Sequence, residues 1–489
     1  MSKTVTLPIR IEAARGQTLQ QQLYHGIRWS IVVGRLGADR RLPSTRTLAA
    51  ELGISRTTVL LAFEQLQAEG YIVPRRGSGH FVVQELPDRS PATVATGPAL
   101  PRPHPLLSER GRALAQARTP DRRSSGSPRA FRLGTPALDV FPCELWTQIA
   151  RQCLRSASSA RLDYARLAGL PELREAIAEQ MASRGTSCDP EQVFIVAGAQ
   201  RGLDLVFHLL LDPGDAAWIE DPGYPGAYGA LLSAGARAVC RPVDREGMCI
   251  EPRAREQPDI RLAYVTPSHQ FPLGVPMSLA RRRKLLAWAS ASRAWIVEDD
   301  YDCVFRYRAQ PLPCLHGLAA DGRVIYVGTF SKTLFPALRI GFLVVPGDLV
   351  DGFARARLAS DVHPPVLEQS ILAAFMLRGH YQRHLRRMQA VYAERLDALQ
   401  SAIERTGAAL CLRPVHSGLH AIADLEAGDA ERVARAAAAR SVEAMPLSAY
   451  HYAHAEPSNA LVLGFGAVRP IAIRAGVSQL AAAIDAAGP

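Results

Sequence analysis

Residues 327–341 read VGTFSKTLFPALRIG and follow an apolar, strand-like run at 323–327. The chain has 57 lysines and arginines, yet only three of them are lysines, at positions 3, 284 and 332. Lysine differs from arginine because its amine can lose a proton and attack a carbonyl carbon. The lysine of this stretch, Lys332, is therefore predicted to form a Schiff base.

Hydroxyl and guanidinium groups accompany Lys332 in the same stretch. Thr329, Ser331 and Arg339 are the donors that a phosphate group beside the lysine requires. The alternative is a surface lysine at the end of a strand, and this stretch by itself leaves that alternative open.

Five short apolar runs alternate with helix-like segments after residue 129, which predicts an α/β fold with a mostly parallel sheet covered on both faces. The predicted strands are Val193–Ala197, Ala216–Ile219, Leu262–Val265, Ala294–Val297 and Val324–Val327. Ligands of such folds bind at the carboxyl ends of the strands. The residues that follow these runs are therefore candidates for a binding site.

Three of the runs are followed by residues that are suited to binding a ligand. Gly198-Ala199-Gln200 opens a helix whose free N–H groups can bind an anion. The turn after the second run places the ring of Tyr224, for which ordinary loop packing is the alternative. The sequence Glu298-Asp299-Asp300-Tyr301-Asp302 is either a solvated acidic loop or the source of a carboxylate for a cationic ring nitrogen beside the lysine.

The length and composition predict a soluble protein of two or three domains. The chain has 489 residues, of which 48% are hydrophobic and 21% charged. No apolar run approaches the roughly 20 residues of a membrane span, and the N-terminus lacks the apolar segment of a signal peptide. The eight cysteines include no C-x-x-C pair, so neither a zinc site nor a disulfide framework is predicted. A reducing cytoplasm is the expected location.

Positive charge is concentrated near the N-terminus. The net charge of the whole chain is +11, and residues 1–84 carry 11 basic and 5 acidic side chains. Residues 85–129 carry 8 basic and 4 acidic side chains, which leaves about +1 for the remainder. This distribution predicts a nucleic-acid or other anionic partner at the N-terminal end.

The first 84 residues have the pattern of a winged helix-turn-helix. Leu19, Leu23, Ile27 and Ile31 recur every four residues, as in an amphipathic helix. A short helix from Thr45 is broken at Gly53, and Ser55 is placed to cap a third helix that runs through Glu69. Two strand-like runs follow, Tyr71–Val73 and His80–Val83, joined by a basic turn with glycines.

The third helix is the predicted recognition helix. It presents Ser55, Arg56, Thr57 and Thr58 at its N-terminal end, and Arg56 is the candidate for a bidentate base contact. Arg75 and Arg76 in the wing suit a contact with the DNA backbone or the minor groove. The alternative is a solvated helix face in a small protein-interaction domain.

Residues 85–128 are rich in Pro, Arg, Ser and Ala, and are predicted to be a flexible linker in which 106–117 can form one or two helical turns. The predicted domains are therefore 1–84, which binds DNA, and 129–489, which contains the candidate binding site.

The string LPSTRTLAAELGISRTTVLLAFEQLQAEGYI with the later RRGSG resembles the DNA-binding domain of the GntR regulator family. This resemblance implies that Arg46, Ser55, Arg56, Thr58 and Gly77 contact DNA. With the neighbouring candidates, the predicted DNA-binding residues are Ser44, Arg46, Ser55, Arg56, Thr57, Thr58, Arg75, Arg76 and Gly77.

The strings DPGYPG, VTPSHQFPLG, EDDYDCVFRY and GTFSKTLFPALRIG resemble the MocR subfamily, in which a GntR-type domain is fused to a fold-type I aminotransferase-like domain. The resemblance implies pyridoxal 5'-phosphate (PLP) as cofactor and a head-to-tail homodimer. Lys332 would then bind the PLP aldehyde, Asp299 the pyridine nitrogen and Tyr301 the phenolic oxygen, while Tyr224 would stack on the ring. The phosphate would be bound by Ala199, Gln200, Thr329, Ser331 and Arg339.

Two positions depart from working aminotransferases. The pattern N-P-T-G, whose Asn binds the phenolic oxygen, is Phe271-Pro272-Leu273-Gly274 here. The pattern N-A-L-R-L-x-F, whose Arg binds the substrate carboxylate, is Asn459–Phe465 with Val462 at the arginine position. Arg469 and Arg474 are nearby, but neither is in the matching position.

The sequence therefore predicts a transcriptional regulator that binds operator DNA and senses PLP itself or an amine or amino acid. Two alternatives belong to other classes. One is an active PLP-dependent aminotransferase with an accessory DNA-binding domain, and the other is an architectural DNA-binding protein in which the lysine is inert. The departures at Phe271 and Val462 favour the regulator over the enzyme, and the intact lysine site disfavours the inert fold.

Overall fold

A computed structural model describes residues 18–75, 77–84, 86, 107–117, 128–182, 185–251, 259–307, 312–426, 428–453 and 458–488. The chain divides into two compact units, residues 1–104 and 105–489. Among the described residues, no helix combines the length and the apolar character that crossing a membrane requires. The predicted domain boundaries at 84/85 and 128/129 stay predictions.

The first unit has three helices and a hairpin, as the sequence predicts for a winged helix-turn-helix. Its elements are α1 (Leu19–Val32), α2 (Thr45–Leu52), α3 (Arg56–Ala68), β1 (Ile72–Arg75) and β2 (Gly79–Val82). Gly53 ends α2 in the left-handed conformation that favours glycine, with φ of 67°. The buried side chains of the helices and the hairpin form one apolar core, in which Phe63 of α3 is 1% exposed.

The second unit begins with six α-helices and three strands that lead into its large sheet. They are α4 (Glu109–Gln116), α5 (Cys143–Arg155), α6 (Ser159–Leu162), α7 (Pro171–Ala182), β3 (Val193–Val196), α8 (Ala199–Leu210), β4 (Ala216–Asp221) and β5 (Arg237–Asp244), with α9 (Pro225–Ala234) between the last two strands. The helix α4 lies within the predicted linker, where the sequence allowed one or two turns.

The middle of the second unit completes this sheet. Its elements are β6 (Gly247–Met248), β7 (Ile260–Val265), α10 (Leu279–Ser292), β8 (Trp295–Asp300), α11 (Leu315–Leu318), β9 (Val324–Thr329) and β10 (Gly341–Val344). The strand order is β3-β10-β9-β8-β7-β4-β5-β6, and β9, β8, β7, β4 and β5 run parallel. The strand β10 is antiparallel to both of its neighbours, so β3 has the same direction as β9. The carboxyl ends of six strands therefore meet at one edge.

Two further helices, α12 (Val350–Ser360) and α13 (Val366–Leu377), pack on the large sheet. The remainder forms a smaller layer with its own sheet. Its elements are α14 (His380–Thr406), β11 (Leu410–Leu412), β12 (His420–Leu425), α15 (Ala430–Ala439), β13 (Met445–Pro446), β14 (Ala460–Gly464) and α16 (Pro470–Ala487). The antiparallel order is β11-β12-β14-β13, and α14, α15 and α16 pack on this sheet around a common apolar core.

Helices cover both faces of the large sheet, as the near-continuous apolar strands predict. Val193 and Ile195 of β3 pack in a cluster with residues of α5, α7 and α13. Phe194 and Val196 point to the other face, where they pack with residues of α8, α9 and α12. The two sets alternate along one strand because successive side chains of a strand point to opposite faces.

All five predicted strands are present, but the sequence missed β5, β6 and β10 and placed several strand ends too early. The largest displacement of a strand end is at the acidic run, because the strand predicted to end at Val297 continues to Asp300. Glu298, Asp299 and Asp300 are the last three residues of β8 and are 0%, 4% and 7% exposed. The solvated acidic loop is therefore wrong. The carboxylates belong to a buried strand, which leaves them without the water that ordinarily stabilises their charge.

Candidate functional site

The N-terminal end of α3 presents a small polar surface. The Ser55 hydroxyl oxygen accepts a hydrogen bond from the Thr58 backbone N–H at 3.1 Å and so caps the helix, as predicted. Arg56 and Thr57 are exposed on the first turn, and Thr58 is half-buried. Arg56 forms no ion pair with any residue that the structure describes. Its guanidinium is therefore available to an anionic or base-edge partner.

The other predicted DNA-binding residues differ in what they already contact. Ser44 caps α2 by accepting a hydrogen bond from the Thr47 N–H at 3.1 Å, and Arg46 is exposed on the same helix. The Arg75 guanidinium forms an ion pair with Asp39 and lies 4.4 Å from the centre of the Phe81 ring. Gly77 has a φ of 73°, which suits a tight wing turn, and Arg76 lies outside the described residues.

A cavity of about 720 Å³ opens where the carboxyl ends of the large sheet face the smaller layer. It brings together every residue that the sequence predicted as cofactor-binding. These residues are Ala199, Gln200, Tyr224, Asp299, Tyr301, Thr329, Ser331, Lys332 and Arg339.

The amine of Lys332 lies in this cavity and is positioned by a glycine that the sequence analysis missed. Its Nζ donates a hydrogen bond to the Gly134 carbonyl oxygen at 2.6 Å. Gly134 has a φ of 70°, and a Cβ at this position would lie 2.6 Å from Nζ. Only glycine therefore combines this backbone conformation with space for the lysine. The alternative of a surface lysine is wrong.

A buried carboxylate lies at the end of β8 in the same cavity. Asp299 Oδ2 accepts a hydrogen bond from the Tyr264 hydroxyl at 2.8 Å, while Oδ1 is buried with no hydrogen-bond partner among the described residues. Burial raises the pKa of Asp299 to about 7, even though the Tyr264 bond opposes this shift. An unpartnered buried oxygen of this kind fits a cationic N–H donor, such as a protonated pyridine nitrogen.

The anion-binding end of the cavity is built around the start of α8. The backbone N–H groups of Ala199 and Gln200 belong to the first turn of this helix, where they have no helical acceptor. Arg339 Nη2 donates to the Ala197 carbonyl oxygen at 3.0 Å, and a Cβ on Gly198 would lie 3.0 Å from the same nitrogen. Thr329 Oγ1 accepts a hydrogen bond from the Ser331 N–H at 3.1 Å. Helix dipole, guanidinium and hydroxyls together suit a phosphate.

Aromatic side chains form the wall of the cavity. The Tyr224 hydroxyl donates to Gln200 Oε1 at 3.3 Å, and its ring packs edge-on against Phe271 with 5.8 Å between the ring centres. Tyr301 has a ring edge-on to Phe271 at 6.0 Å, and its hydroxyl lies 3.0 Å from His269 Nδ1. A flat aromatic ligand would therefore be enclosed by rings, with hydrogen-bonding groups at its edges.

Among the described residues, neither Arg469 nor Arg474 takes the place of the arginine that Val462 replaces. Val462 is fully buried in β14, in an apolar cluster with Phe271 and Tyr450. Arg469 forms an ion pair with Asp139 at 3.2 Å, and neither Arg469 nor Arg474 is among the described residues that line the cavity.

Other arginines do line the cavity. Arg132 forms a bidentate ion pair with Glu443, with distances of 3.0 and 2.9 Å, while Arg129 and Arg435 are exposed. A carboxylate ligand would have to compete with Glu443 for Arg132.

Sequence reasoning missed several residues of the site. His269 and Asp302 form a buried hydrogen-bonded pair at 2.9 Å, and His420 lies nearby with ring centres 4.9 Å apart. Glu220 is buried at the end of β4, where Thr266 and Gln270 donate to its Oε2. The strings that contain His269 and Asp302 were quoted, but only the fold shows that their side chains meet.

Two family descriptions match the chain. Residues 130–460 match "Aminotransferase class I and II", and residues 19–82 match "Bacterial regulatory proteins, gntR family". The chain is 41% identical over 468 residues to the probable rhizopine catabolism regulatory protein MocR of Rhizobium meliloti, covering 95% of this chain and 93% of that protein.

The chain belongs to the MocR group of GntR-type transcriptional regulators.

Other regulators of this kind match over nearly the full length. The HTH-type regulator TauR of Rhodobacter capsulatus is 33% identical, with 96% of each chain covered. The HTH-type pyridoxine biosynthesis regulator PdxR of Corynebacterium glutamicum is 30% identical, with 94% of each chain covered. The winged helix-turn-helix and the aminotransferase fold predicted for this MocR-type regulator are thereby confirmed.

Solved aminotransferases share the fold of the second unit. A kynurenine aminotransferase from Pyrococcus horikoshii, solved with pyridoxamine phosphate (PMP), has a TM-score of 0.67 at 28% identity and covers 74% of this chain and 92% of its own. LysN from Thermus thermophilus, solved with N-(5'-phosphopyridoxyl)-L-leucine, has a TM-score of 0.66 at 29% identity and covers 78% and 95%.

The buried acids predict how the stability of the cofactor-free regulator depends on pH. Burial raises the pKa values of Asp299, Glu220 and Glu298 to about 7 each. Carboxyls of the unfolded chain ionise near about pH 4. Between these values the unfolded state binds fewer protons than the folded state, so the free energy of unfolding falls as pH rises from about 4 to about 7.

We expect Asp299→Asn to make this fall shallower without abolishing it, because Glu220 and Glu298 remain. The measurement is thermal unfolding of the cofactor-free protein across this pH range. The matched control is Asp348→Asn, since Asp348 is exposed on the surface. If the free energy of unfolding of Asp299→Asn fell with pH as steeply as that of the parent protein, the raised pKa of Asp299 would be contradicted.

Proposed function

We propose that this regulator binds PLP covalently and reversibly at Lys332, and that its binding to operator DNA responds to PLP or to an amine that reacts with it. The observation that carries the proposal is the unpartnered Asp299 Oδ1 in the cavity that also contains the lysine amine. A buried carboxylate with one open acceptor requires a cationic partner to remain ionised at neutral pH. The relatives solved with PMP and with a phosphopyridoxyl amino acid support this identification.

Each end of the cofactor has a partner in this chain. Bound PLP supplies an aldehyde carbon that amines can link to reversibly, and Lys332 provides the amine. Asp299 holds the proton on the pyridine nitrogen, and the start of α8 with Arg339 binds the phosphate. Tyr224 packs on the ring, and Tyr301 donates to the phenolic oxygen.

The effector of the proposed switch is PLP itself, or an amine or amino acid whose recognition does not use an arginine at position 462. Buried Val462 offers no hydrogen bond where aminotransferases have an arginine, and Arg132 is already paired with Glu443. Displacement of Lys332 from the cofactor by such an amine would free its Nζ to donate to the Gly134 carbonyl oxygen. A local change of this kind shifts a conformational equilibrium only if the two states differ in affinity for the ligand.

The second candidate function is an active aminotransferase with an accessory DNA-binding domain. The intact lysine site and the aminotransferase neighbours favour it, whereas Val462 and Phe271 disfavour it. An architectural DNA-binding protein with an inert lysine has less support, because such a protein has no need for an unpartnered buried Asp299.

A homodimer is the proposed assembly, with the head-to-tail arrangement that the family resemblance implies and a cytoplasmic location. Large apolar side chains in the second unit are strongly exposed, among them Leu162 at 79%, Tyr164 at 83% and Ile471 at 72%. Burial of such side chains against a second copy is favourable by about 25 cal/mol per Å² of apolar surface. The second unit thus has apolar surface suited to self-association.

Lys332 can be tested directly as the attachment site. We expect the protein with PLP to show a visible absorption band, and borohydride to fix the cofactor to Lys332 as read by peptide mass spectrometry. Lys332→Ala should lose the band and remain folded. The matched control is Lys284→Ala, because Lys284 is an exposed lysine 65% open to solvent. Retention of the band by Lys332→Ala would refute the assignment.

Arg56 is expected to read a base in the operator. Arg56→Ala should weaken binding to the DNA upstream of the regulator's own gene by about 1–3 kcal/mol and relax sequence preference, as loss of a bidentate contact does. Arg76→Ala should lower the slope of affinity against salt by about one, as loss of a phosphate contact does.

The measurement for both variants is fluorescence anisotropy at several salt concentrations. The control is Arg283→Ala, which removes the same charge from the exposed face of α10 in the other unit. Unchanged affinity and site preference in Arg56→Ala would show that α3 is not the recognition helix.

A sensor and an aminotransferase differ in whether the site must bind the carboxylate of an amino acid. We expect common α-amino acids to be converted to keto acids barely above background, because Val462 has no group that can hold the carboxylate during proton transfer. Each amino acid should react no better than the amine that lacks its carboxylate. DNA affinity should respond to PLP or to one particular amine.

The assay is a spectrophotometric half-reaction with these matched ligand pairs, run beside a DNA-binding titration. Rapid stoichiometric conversion of an ordinary amino acid, with DNA binding indifferent to every ligand, would favour the aminotransferase.

A further inference from the structure

A buried histidine lies behind the hydroxyl of Tyr301. His269 Nδ1 is 2.9 and 3.1 Å from the two carboxylate oxygens of Asp302 and 3.0 Å from the Tyr301 oxygen. His269 and Asp302 are 3% and 2% exposed, and Tyr301 lines the cavity. Two polar groups from consecutive residues, Tyr301 and Asp302, therefore converge on one ring nitrogen of His269.

The position of Asp302 determines which nitrogen of His269 carries the proton. A carboxylate only accepts hydrogen bonds, so an unprotonated Nδ1 at 2.9 Å would oppose one lone pair to another. Nδ1 therefore carries a proton and donates it. The Tyr301 oxygen, at 3.0 Å from the same nitrogen, can only be an acceptor of that N–H. The proton of Tyr301 is then not used by His269 and is available to a group in the cavity.

Two glycines fix the histidine ring in this position. Gly418 has a φ of 81°, and a Cβ there would overlap His269 Cε1 at 2.1 Å. Gly274 has a φ of 75°, and a Cβ there would lie 3.1 Å from His269 Nε2. Any larger residue at Gly418 would displace the ring. The close backbone contact therefore restricts rotation of the ring and keeps Nδ1 directed at Asp302 and Tyr301.

Phe271 provides no second donor beside Tyr301. Phe271, which stands where the aminotransferase pattern has asparagine, packs edge-on to Tyr301 and has no hydrogen-bonding group in its side chain. Burial and the negative charge of Asp302 raise the pKa of Tyr301 well above its ordinary value, so the hydroxyl keeps its proton. Tyr301 is thus a permanent donor with a fixed direction.

We propose that Asp302 and His269 act as positioning residues that hold Tyr301 as the hydrogen-bond donor to the phenolic oxygen of the cofactor, in place of the missing asparagine. The inference rests on the proposed binding of PLP at Lys332. In this arrangement the N–H at His269 Nδ1 donates to the carboxylate of Asp302 and also to the Tyr301 oxygen. The hydroxyl of Tyr301 then donates to a group in the cavity. No proton is transferred, and the chain of bonds sets direction only.

The proposed arrangement changes the pKa of the bound cofactor. A hydrogen bond to the phenolic oxygen stabilises its negative charge and therefore lowers the pKa that is read from the visible absorbance. Other ionisable groups that face this region include Asp299 and Asp300 from β8, Glu220 from β4, Tyr264 from β7, His420 from β12, and Tyr224 and Lys332 from the turns that follow β4 and β9. None of these residues is substituted in the His269 variants.

The test is a pH titration of the visible band of the PLP-bound protein in three variants. Tyr301→Phe removes the donor, and we expect the midpoint to rise by about one pH unit or more. His269→Gln places its amide nitrogen near the Nε2 position and loses the Nδ1 donor, so the midpoint should also rise. His269→Asn places its amide nitrogen near the Nδ1 position and should retain a midpoint close to that of the parent protein.

Each outcome of the test has a definite meaning. A parent-like midpoint in His269→Gln beside a raised midpoint in Tyr301→Phe would overturn the inference and leave PLP binding intact. An equal rise in His269→Asn and His269→Gln would show that the ring only fills space, which also overturns it. Absence of any visible band in the parent protein would instead refute the proposed function. Borohydride trapping on Lys332 separates these cases, because it reports attachment without reference to the midpoint.

A metal site is the competing interpretation of the same side chains. His269, Asp302 and His420 each place one ligand atom within 4.8 Å of the others. The hydrogen bonds described above account for His269 and Asp302, and His420 Nε2 donates to the Pro272 carbonyl oxygen at 2.9 Å. Elemental analysis of the purified protein should find no stoichiometric metal. One equivalent of zinc, lost in Asp302→Asn, would assign the cluster to metal binding and overturn the inference.

Discussion

The burial of one carboxylate constrains the whole second unit. Asp299 lies within a strand that is flanked on both sides by other strands and covered by helices, and of the residues that the structure describes only Tyr264 donates to it. Such a charge is costly to bury without a partner, and a protein with no use for it would gain stability from an apolar residue there. The surrounding sheet, the lysine turn after β9 and the start of α8 all direct their polar groups to the same cavity. The fold thus provides what a cationic, phosphorylated ring requires.

The sequence predicted those parts of the site that are contiguous in the chain. Lys332, Thr329 and Ser331 are close along the chain, and a parallel sheet brings the ends of its strands together, so Asp299 and Ala199 could be placed beside them. The recognition helix was predicted with its cap because Ser55, Gly53 and the apolar period are local signals. Local signals of this kind are sufficient wherever the functional group and its support are neighbours in sequence.

The sequence could not predict support that comes from distant segments. Gly134 contacts Lys332 across 198 positions, and His269 contacts Asp302 across 33. No period or spacing relates these residues, because their proximity depends on how the two layers pack. The acidic run was ambiguous for the same reason, since its residues read as a loop until the strand is seen to continue through Asp300. The strand β10 was missed because four residues beginning with glycine give a weak pattern.

The two departures from the aminotransferase pattern differ in their physical consequence. Val462 removes a group that would hold a carboxylate, and the apolar cluster around it leaves no buried polar atom of its own unsatisfied. Phe271 removes a donor from the phenolic oxygen, yet the donor beside it is supported by His269 and Asp302. The chain therefore lacks at position 462 the arginine of the aminotransferase pattern, while the groups of the proposed PLP site lie together in the cavity. In the proposed function, a site of this kind responds to amines without consuming them. Such a response can control DNA binding only if the DNA-bound and the DNA-free protein differ in their affinity for the ligand. By linkage, the ligand then alters the affinity for DNA by the same factor.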